Sequence, residues 1–468
     1  MSDTNSLVWG PTFQEMLHPD KVEPHFRLRG RQVRELDPLD KANLFNICWR
    51  NVEGAIRHEV LPRELTGVDA NIVVLCAREF PSGSHKVGAA YSVLVERQLS
   101  GEVVPWKQRL LWPSTGNYGI GGAWVGGRMG YRSLVVLPQG MSPERFRLLE
   151  SYGAEVVKTP GGESNVREIY EAVRQLKASD PEGLCVLNQF DSMGNYRFHY
   201  YVTGNTLIEL AAELRAQGIG GGQIDAFCSA MGSAGTIAAG DRLKQVWPEA
   251  RVVGLEPIQC STLYNAGYGS HEIQGIGDNH VTWIHNVWNM DAIACVDDQE
   301  CLKGLQVLAE EAGWKAMTRH FAVPEAAVRR LSTLFGISGV CNVLGAIKIA
   351  KFYQLDRRSV VATIATDGLD RYLSVVCNLD QKYGRMDEAE AMSRVASIFH
   401  GQRTDWIKEG TLDMRRQWHN LKYYTWVEQQ GKSVAELDAQ RDPEWWLREQ
   451  ARVAEIDAAL RQARAASY

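Results

Sequence analysis

Short, nearly continuous apolar runs recur along this chain with helix-like segments between them. They are "NIVVLCA", "QRLLW", "SLVVLPQ", "AEVVKTP", "LCVLNQF", "IDAFCSA", "RVVGLEP" and "SVVATIAT". Runs without polar alternation suit strands buried on both faces, which is the condition of parallel strands. The stretches between them, such as "SPERFRLLESYG" and "NVREIYEAVRQLKAS", read as helices. In the first, Ser142 is placed to cap and Pro143 to occupy the first turn. Strand and helix in alternation predict an α/β fold with parallel sheets and right-handed crossovers.

Two regions flank this pattern. Residues 1–70 are mixed and read as mostly helical, and from about 385 the strand signal disappears. Near the end, "DPEWWLREQARVAEIDAALRQARA" reads as a helix capped by Asp442, opened by Pro443 and lined by Trp446, Val453, Ile456 and Leu460. Trp406, Trp418, Trp426, Trp445 and Trp446 crowd this tail, so it is expected to pack on the core or on a second subunit. The expected organisation is an N-terminal extension (1–70), a catalytic domain of two lobes (71–384, the smaller lobe about 112–215) and a helical, Trp-rich extension (385–468).

The 468 residues carry a formal charge of −5 and no basic block, which argues against nucleic acid as the main partner. No run of apolar residues is long enough for a membrane span, and the first residues lack a signal-peptide pattern. The nine cysteines are scattered without paired metal spacing. Free thiols in a reducing cytoplasm, and no metal site, are the expectation.

Three loops carry chemistry. In "EFPSGSHKVGAAY" a single lysine, Lys86, stands at a strand-to-helix junction among small residues. Taken alone this is equally a solvated lysine beside a cap. In "PSTGNYGIGGA" a strand ends and a helix opens on small and hydroxyl residues, whose N–H groups suit a carboxylate, and Asn117 adds an amide donor. In "SAMGSAGTIAAG" residues Gly232, Ser233, Ala234, Gly235 and Thr236 form a cup for a phosphate at a helix start. It is neither a Walker loop nor a dinucleotide fingerprint. An amine for an aldehyde, a cup for a phosphate and an anchor for a carboxylate together describe a pyridoxal 5'-phosphate site acting on an amino acid.

Over residues 70–380 the chain resembles the fold type II pyridoxal phosphate enzymes, the tryptophan synthase β-subunit-like group. Within it, the chain is most similar to cysteine synthase and cystathionine β-synthase. "PSGSHK" sits where that family has its Schiff-base lysine, and "STGNYGIGGAW" matches its T-S-G-N-T-G-I-G loop. "NQF", "MGSAGT", "HEIQGIG", "FGISGV" and "TDGLDRYLS" follow its later motifs in order.

The resemblance implies two parallel-sheet lobes and assigns roles. Lys86 would hold the cofactor as a Schiff base and then act as acid and base. Asn117 would donate to the phenolic oxygen, and 232–236 would bind the phosphate. Ser114, Thr115, Gly116 and Gln189 would hold the substrate carboxylate, with Gly275, Ile276 and Gly277 lining the site. The implied reaction is replacement at the β-carbon of a small L-amino acid through an aminoacrylate, with a second small nucleophile, in a cytoplasmic homodimer. β-Elimination, dehydration or racemisation on the same scaffold, or an inactive partner subunit, are the alternatives.

Departures from the family pattern raise further expectations. Val87-Gly88 follows the lysine where cysteine synthases read Asp-Arg. His85 is expected near the phosphate, as in tryptophan synthase β-subunits. Thr366, Asp367 or Gly368 falls beside the pyridine nitrogen. Tyr118, His271, Asp278 and His280 are candidates for specificity. A cleft between two lobes also suggests closure over the substrate.

Overall fold

The computed structural model describes residues 6–114, 116–162 and 165–467. Its strands are β1 (His58–Val60), β2 (Asn71–Cys76), β3 (Arg109–Pro113), β4 (Ser133–Pro138), β5 (Glu155–Thr159), β6 (Leu184–Val186), β7 (Ala226–Ala230), β8 (Arg251–Pro257), β9 (Ala292–Val296), β10 (Val360–Ala365) and β11 (Ile407–Glu409). They form a seven-stranded sheet of order β1-β2-β10-β7-β8-β9-β11 and a four-stranded sheet of order β5-β4-β3-β6. Every pairing is parallel except at the two edges of the larger sheet, where β1 on β2 and β11 on β9 run antiparallel. Strands β4, β9 and β10 are buried at every residue, as the absence of polar alternation requires.

The central strands lie where the apolar runs place them, with instructive differences. "LCVLNQF" is strand only over Leu184–Val186, because Asn188 turns the chain and its Oδ1 accepts from the Phe190 N–H at 3.1 Å. Strand β9, "AIACV", lacks the β-branched richness that marks the others and is set by pairing with β8. Strand β11 lies in the tail read as free of strands, three residues recruited by the open edge of β9. Ser142 begins the helix Pro143–Ser151 without a side-chain cap, since its hydroxyl donates instead to the Arg371 carbonyl at 3.0 Å.

The tail packs on its own chain. Trp418, Trp426 and Trp446 are buried, as are Val453, Ile456 and Leu460 of the helix Pro443–Ala466. Asp442 caps that helix by accepting the Glu444 N–H at 3.0 Å. The two ends of the chain also meet. Asp457 accepts the N–H groups of Phe13 (2.7 Å) and Gln14 (3.0 Å), and Arg464 pairs with Glu15 at 2.6 Å in a buried contact. Asp457 thus supplies the acceptor that the helix Phe13–Leu17 needs at its start.

Candidate active site

Strand β2 ends at Cys76, the chain turns through Pro81–His85, and Lys86 is the first residue of the helix Lys86–Leu99. That junction puts a long cation at the rim of the larger sheet, pointing across to the next crossover loop. Lys86 Nζ donates to Ser233 Oγ at 3.0 Å, and Asn195 Nδ2 donates to the same oxygen at 3.0 Å. Burial pushes the Lys86 amine down to about 8, opposed by the charge of Asp278. Burial pushes the Asp278 carboxyl up to about 7, opposed by Lys86. The two groups therefore each change protonation close to neutral pH. Val87 and Gly88 follow because the helix is packed closely there: Val87 is fully buried, and a Cβ at Gly88 would overlap the Phe198 ring.

The small-residue loop follows β7. Ala234 takes the left-handed conformation (φ 59°) and Gly235 the right-handed one (φ −63°, ψ −46°). Adjacent residues of opposite hand turn successive N–H groups to one side, a nest for an anion. Among the described residues the N–H groups of Ser233, Ala234 and Gly235 meet no acceptor. Holding a non-glycine residue in this region costs on the order of 1–3 kcal/mol, which the surroundings must impose. Two contacts do so: Thr282 Oγ1 donates to the Ser233 carbonyl at 2.9 Å, and the Asn195 amide fills the space where Gly235 would carry a Cβ.

His85 Nε2 lies 3.2 Å from Thr236 Oγ1, and burial holds the imidazole well below its usual range, so it is neutral. Its ring stacks on Trp49 at 5.7 Å and meets His199 edge-on at 5.0 Å. His85 therefore reaches the phosphate loop as a hydrogen-bonding group and not as a countercharge.

In the second loop, Ser114 Oγ accepts the N–H groups of Gly116 (2.9 Å) and Gly119 (2.8 Å), starting the helix Asn117–Arg128. Its lone pairs are committed to that turn. Gly116 has φ 151°, and a Cβ there would overlap the Arg145 guanidinium. Thr115 lies outside the described residues. Asn117 Nδ2 donates to Asp367 Oδ2 at 2.7 Å, and its Oδ1 accepts from Arg371.

Asp367 is fully buried. It also accepts from Tyr372 Oη at 2.8 Å and lies 3.9 Å from Arg145, while its other oxygen rests against Gly336. Thr366, just before it, is half-buried at the end of β10. Gln189 is buried next to the loop: its carbonyl accepts from Asn195 at 3.0 Å, and its side-chain amide meets no described partner. Gly275 (φ 99°) and Gly277 (φ 72°) fold the segment 275–278 onto Gly232. A Cβ there would stand 2.9 Å from Asp278 Oδ2, 3.0 Å from the Gly275 carbonyl and 3.3 Å from the Ile276 Cα.

Three specificity candidates take other roles. Tyr118 is 1% exposed and its ring meets Trp112 edge-on at 5.5 Å, so it is a core residue of the smaller sheet. His271 spends both ring nitrogens on the backbone, facing the Gly277 carbonyl at 3.2 Å and accepting the Ile273 N–H at 3.2 Å, which props the Gly277 turn. His280 packs edge-on against Tyr170 and Phe190. Asp278 and Lys86 act on each other electrostatically, and the Asp278 Oδ1 has no partner among the described residues. Asn195, Arg145, Arg371 and Tyr372 complete the site, and none was singled out from the sequence. Arg371 and Tyr372 lie inside "TDGLDRYLS" and Asn195 inside "NQFDSMGNYRFHYYVTGNTLIELA", both stretches that resemble the family, whereas Arg145 sits in an ordinary helical segment.

These groups fit pyridoxal phosphate. A buried amine with a lowered pKa stands beside a nest of unused N–H groups, and an amide with one N–H to spare faces it from the opposite loop. The comparisons agree. Residues 60–367 match the family model described as pyridoxal-phosphate dependent enzyme. A cysteine synthase of Staphylococcus aureus is 30% identical over 306 residues, covering 65% of this chain and 88% of that protein. The crystal structure of a cysteine synthase from Entamoeba histolytica superposes with a TM-score of 0.59 at 23% identity, over 74% of this chain and 93% of that one. An O-acetylserine dependent cystathionine β-synthase from Helicobacter pylori gives 0.57 at 23% identity, over 69% and 95%. These structures share the fold of two parallel-sheet lobes. With the lysine, the phosphate nest and the family match on the same residues, the chain belongs to the pyridoxal-phosphate dependent enzymes.

Proposed function

We propose that this protein replaces the β-substituent of a small L-amino acid with a second small nucleophile, as a cysteine synthase does, and that Lys86 carries the cofactor. The observation behind this reading is the Lys86 amine, lowered to about 8 and held 3.0 Å from Ser233 at the mouth of the N–H nest. The curated and structural relatives named above, two cysteine synthases and a cystathionine β-synthase, support the reaction class.

Bound pyridoxal phosphate supplies an electron sink for negative charge developing at the substrate α-carbon. The N–H groups of Ser233, Ala234 and Gly235, with the Thr236 hydroxyl, hold its phosphate. The spare N–H of Asn117 would donate to its ring oxygen. Thr366 or Asp367 would meet the pyridine nitrogen; Asp367 Oδ2 is engaged by Tyr372 and Asn117, while its Oδ1 has no partner among the described residues. The N–H groups of Asn117 and Tyr118 at a helix start and the Gln189 amide, none of which has a partner among the described residues, would hold the substrate carboxylate. Lys86 would remove the α-proton and return it after the new bond forms. Asp278 lies within electrostatic range of that amine and can hold a proton near neutral pH.

The test is product identification with O-acetyl-L-serine and sulfide. An amino acid carrying the new β-sulfur supports replacement. An oxo acid and ammonia, with no sulfide incorporated, assigns elimination instead. No turnover of any β-substituted alanine overturns both.

Among the described residues no helix is long and apolar enough to cross a membrane, and all nine cysteines are free thiols. We propose a cytoplasmic location on the strength of those thiols. A homodimer is proposed as well, with exposed apolar side chains such as Leu36, Leu39 and Leu373 as supporting surface. Sedimentation at micromolar concentration tests the dimer, and a monomer mass contradicts it.

A further inference from the structure

The segment after Asp278 is held from behind by residues outside the family match. Lys422, on the short helix Lys422–Trp426, is completely buried. Its Nζ makes hydrogen bonds with the Trp283 carbonyl (3.0 Å), the His285 carbonyl (2.7 Å) and Gln440 Oε1 (2.7 Å), and burial pushes the amine well below its usual range. The centre of the Trp446 ring lies 5.6 Å from the same nitrogen. One turn on, Trp426 Nε1 donates to the Val281 carbonyl at 2.8 Å. Gln440 Nε2 adds a second bond to the Trp283 carbonyl at 3.1 Å. Residues 281–285 thus have their carbonyls gathered by the C-terminal extension.

The other side of the same segment touches the site. Thr282 Oγ1 donates to the Ser233 carbonyl, inside the nest, and the Trp283 N–H donates to the Phe190 carbonyl at 2.9 Å, next to Gln189. The packing spans both lobes: Trp426 and Leu437 of the extension cluster with Trp283, with Phe190, and with Val166 and Tyr170 on the helix Val166–Ser179 that covers the smaller sheet.

We propose that Lys422 is a positioning residue of the active site. Through residues 281–285 its hydrogen bonds fix Ser233 and Gln189 together, setting the cofactor's phosphate and the substrate's carboxylate in one frame. The inference rests on the functional reading above, since it takes 233–236 as the phosphate site and Gln189 as a carboxylate donor. It gives the extension a role in the reaction: a brace across the two lobes. Removing the brace loosens binding while leaving the proton transfer at Lys86 intact.

The experiment compares wild type, Lys422→Met and Trp426→Phe as holoenzymes. The measurements are the dissociation constant for pyridoxal phosphate, KM and kcat with O-acetyl-L-serine, and hydrogen exchange of residues 281–285. For Lys422→Met the expected result is a cofactor dissociation constant and a KM each raised about 10-fold, kcat within about 3-fold, and faster exchange at 281–285. Trp426→Phe keeps the ring packing and removes one donor, so the same split appears at about 3-fold; it decides the matter if Lys422→Met does not fold. Wild-type cofactor affinity and KM in the variants, with 281–285 deprotected, overturn the proposal and leave the functional reading standing. A wild type that binds no pyridoxal phosphate overturns that reading itself.

Discussion

Lys86 Nζ and Ser233 Oγ stand 3.0 Å apart, joining the start of one crossover helix to the loop before another. The pair ties the amine that can take an aldehyde to the nest that can take a phosphate. Burial, not a neighbouring cation, lowers the amine. An amine at about 8 is largely unprotonated in mildly alkaline solution, whereas one near 10.5 is not. The rate at which cofactor-stripped protein captures pyridoxal phosphate should therefore rise with pH and level off just above pH 8. Stopped-flow absorbance measures it, and a rise continuing past pH 9 contradicts the lowered amine.

Asp278 carries the opposite shift. Its carboxyl is raised from 3.8 to about 7 by burial. A raised acid favours the folded state most at low pH, and that contribution is lost as pH climbs through the folded value. Replacing Asp278 with Asn removes the buried charge. The stripped variant should be more stable than wild type by roughly 1–3 kcal/mol at pH 8, with the difference vanishing toward pH 4. Urea unfolding across pH 4–8 gives the answer; a gap that widens at low pH refutes it.

The Arg145, Asp367 and Tyr372 cluster is fully enclosed between the Asn117 loop and the end of β10. Removing the guanidinium takes away a cation 3.9 Å from a fully buried carboxylate. Arg145→Leu should lose roughly 3–5 kcal/mol of stability, and adding Asp367→Asn should recover a large part of it. Additive losses in the double variant mean that the two do not form a unit.

Gly235 makes a more selective prediction. A methyl group there meets the Asn195 amide, which donates to Ser233 and to the Gln189 carbonyl. Gly235→Ala should weaken cofactor affinity about 10-fold or more while shifting unfolding far less. Equal affinity, read by titration of the visible cofactor band, would show that the nest does not hold the phosphate.

Much of the frame was legible because buried parallel strands leave an unmistakable record. Runs such as those of β2, β4, β8 and β10 are apolar along their whole length, and small-residue loops follow β3 and β7. β9 was missed because Ala-Ile-Ala-Cys-Val has weak strand preference of its own and is completed by its neighbour. Tyr118 read as a pocket residue because its place in the motif is one step from Asn117; on a helix, one step turns the side chain by roughly 100°, here into the core beside Trp112. The Trp-rich tail announced that it was buried, but not against what. Lys422 gave no sign at all, since a lysine enclosed by three acceptors reads in sequence like one in water.

The most direct test of the account is borohydride reduction of the protein saturated with pyridoxal phosphate, followed by proteolysis and mass spectrometry. The account predicts a pyridoxyl phosphate adduct on the peptide containing Lys86, absent in Lys86→Ala. An adduct on another lysine, or none on the wild type, would contradict it.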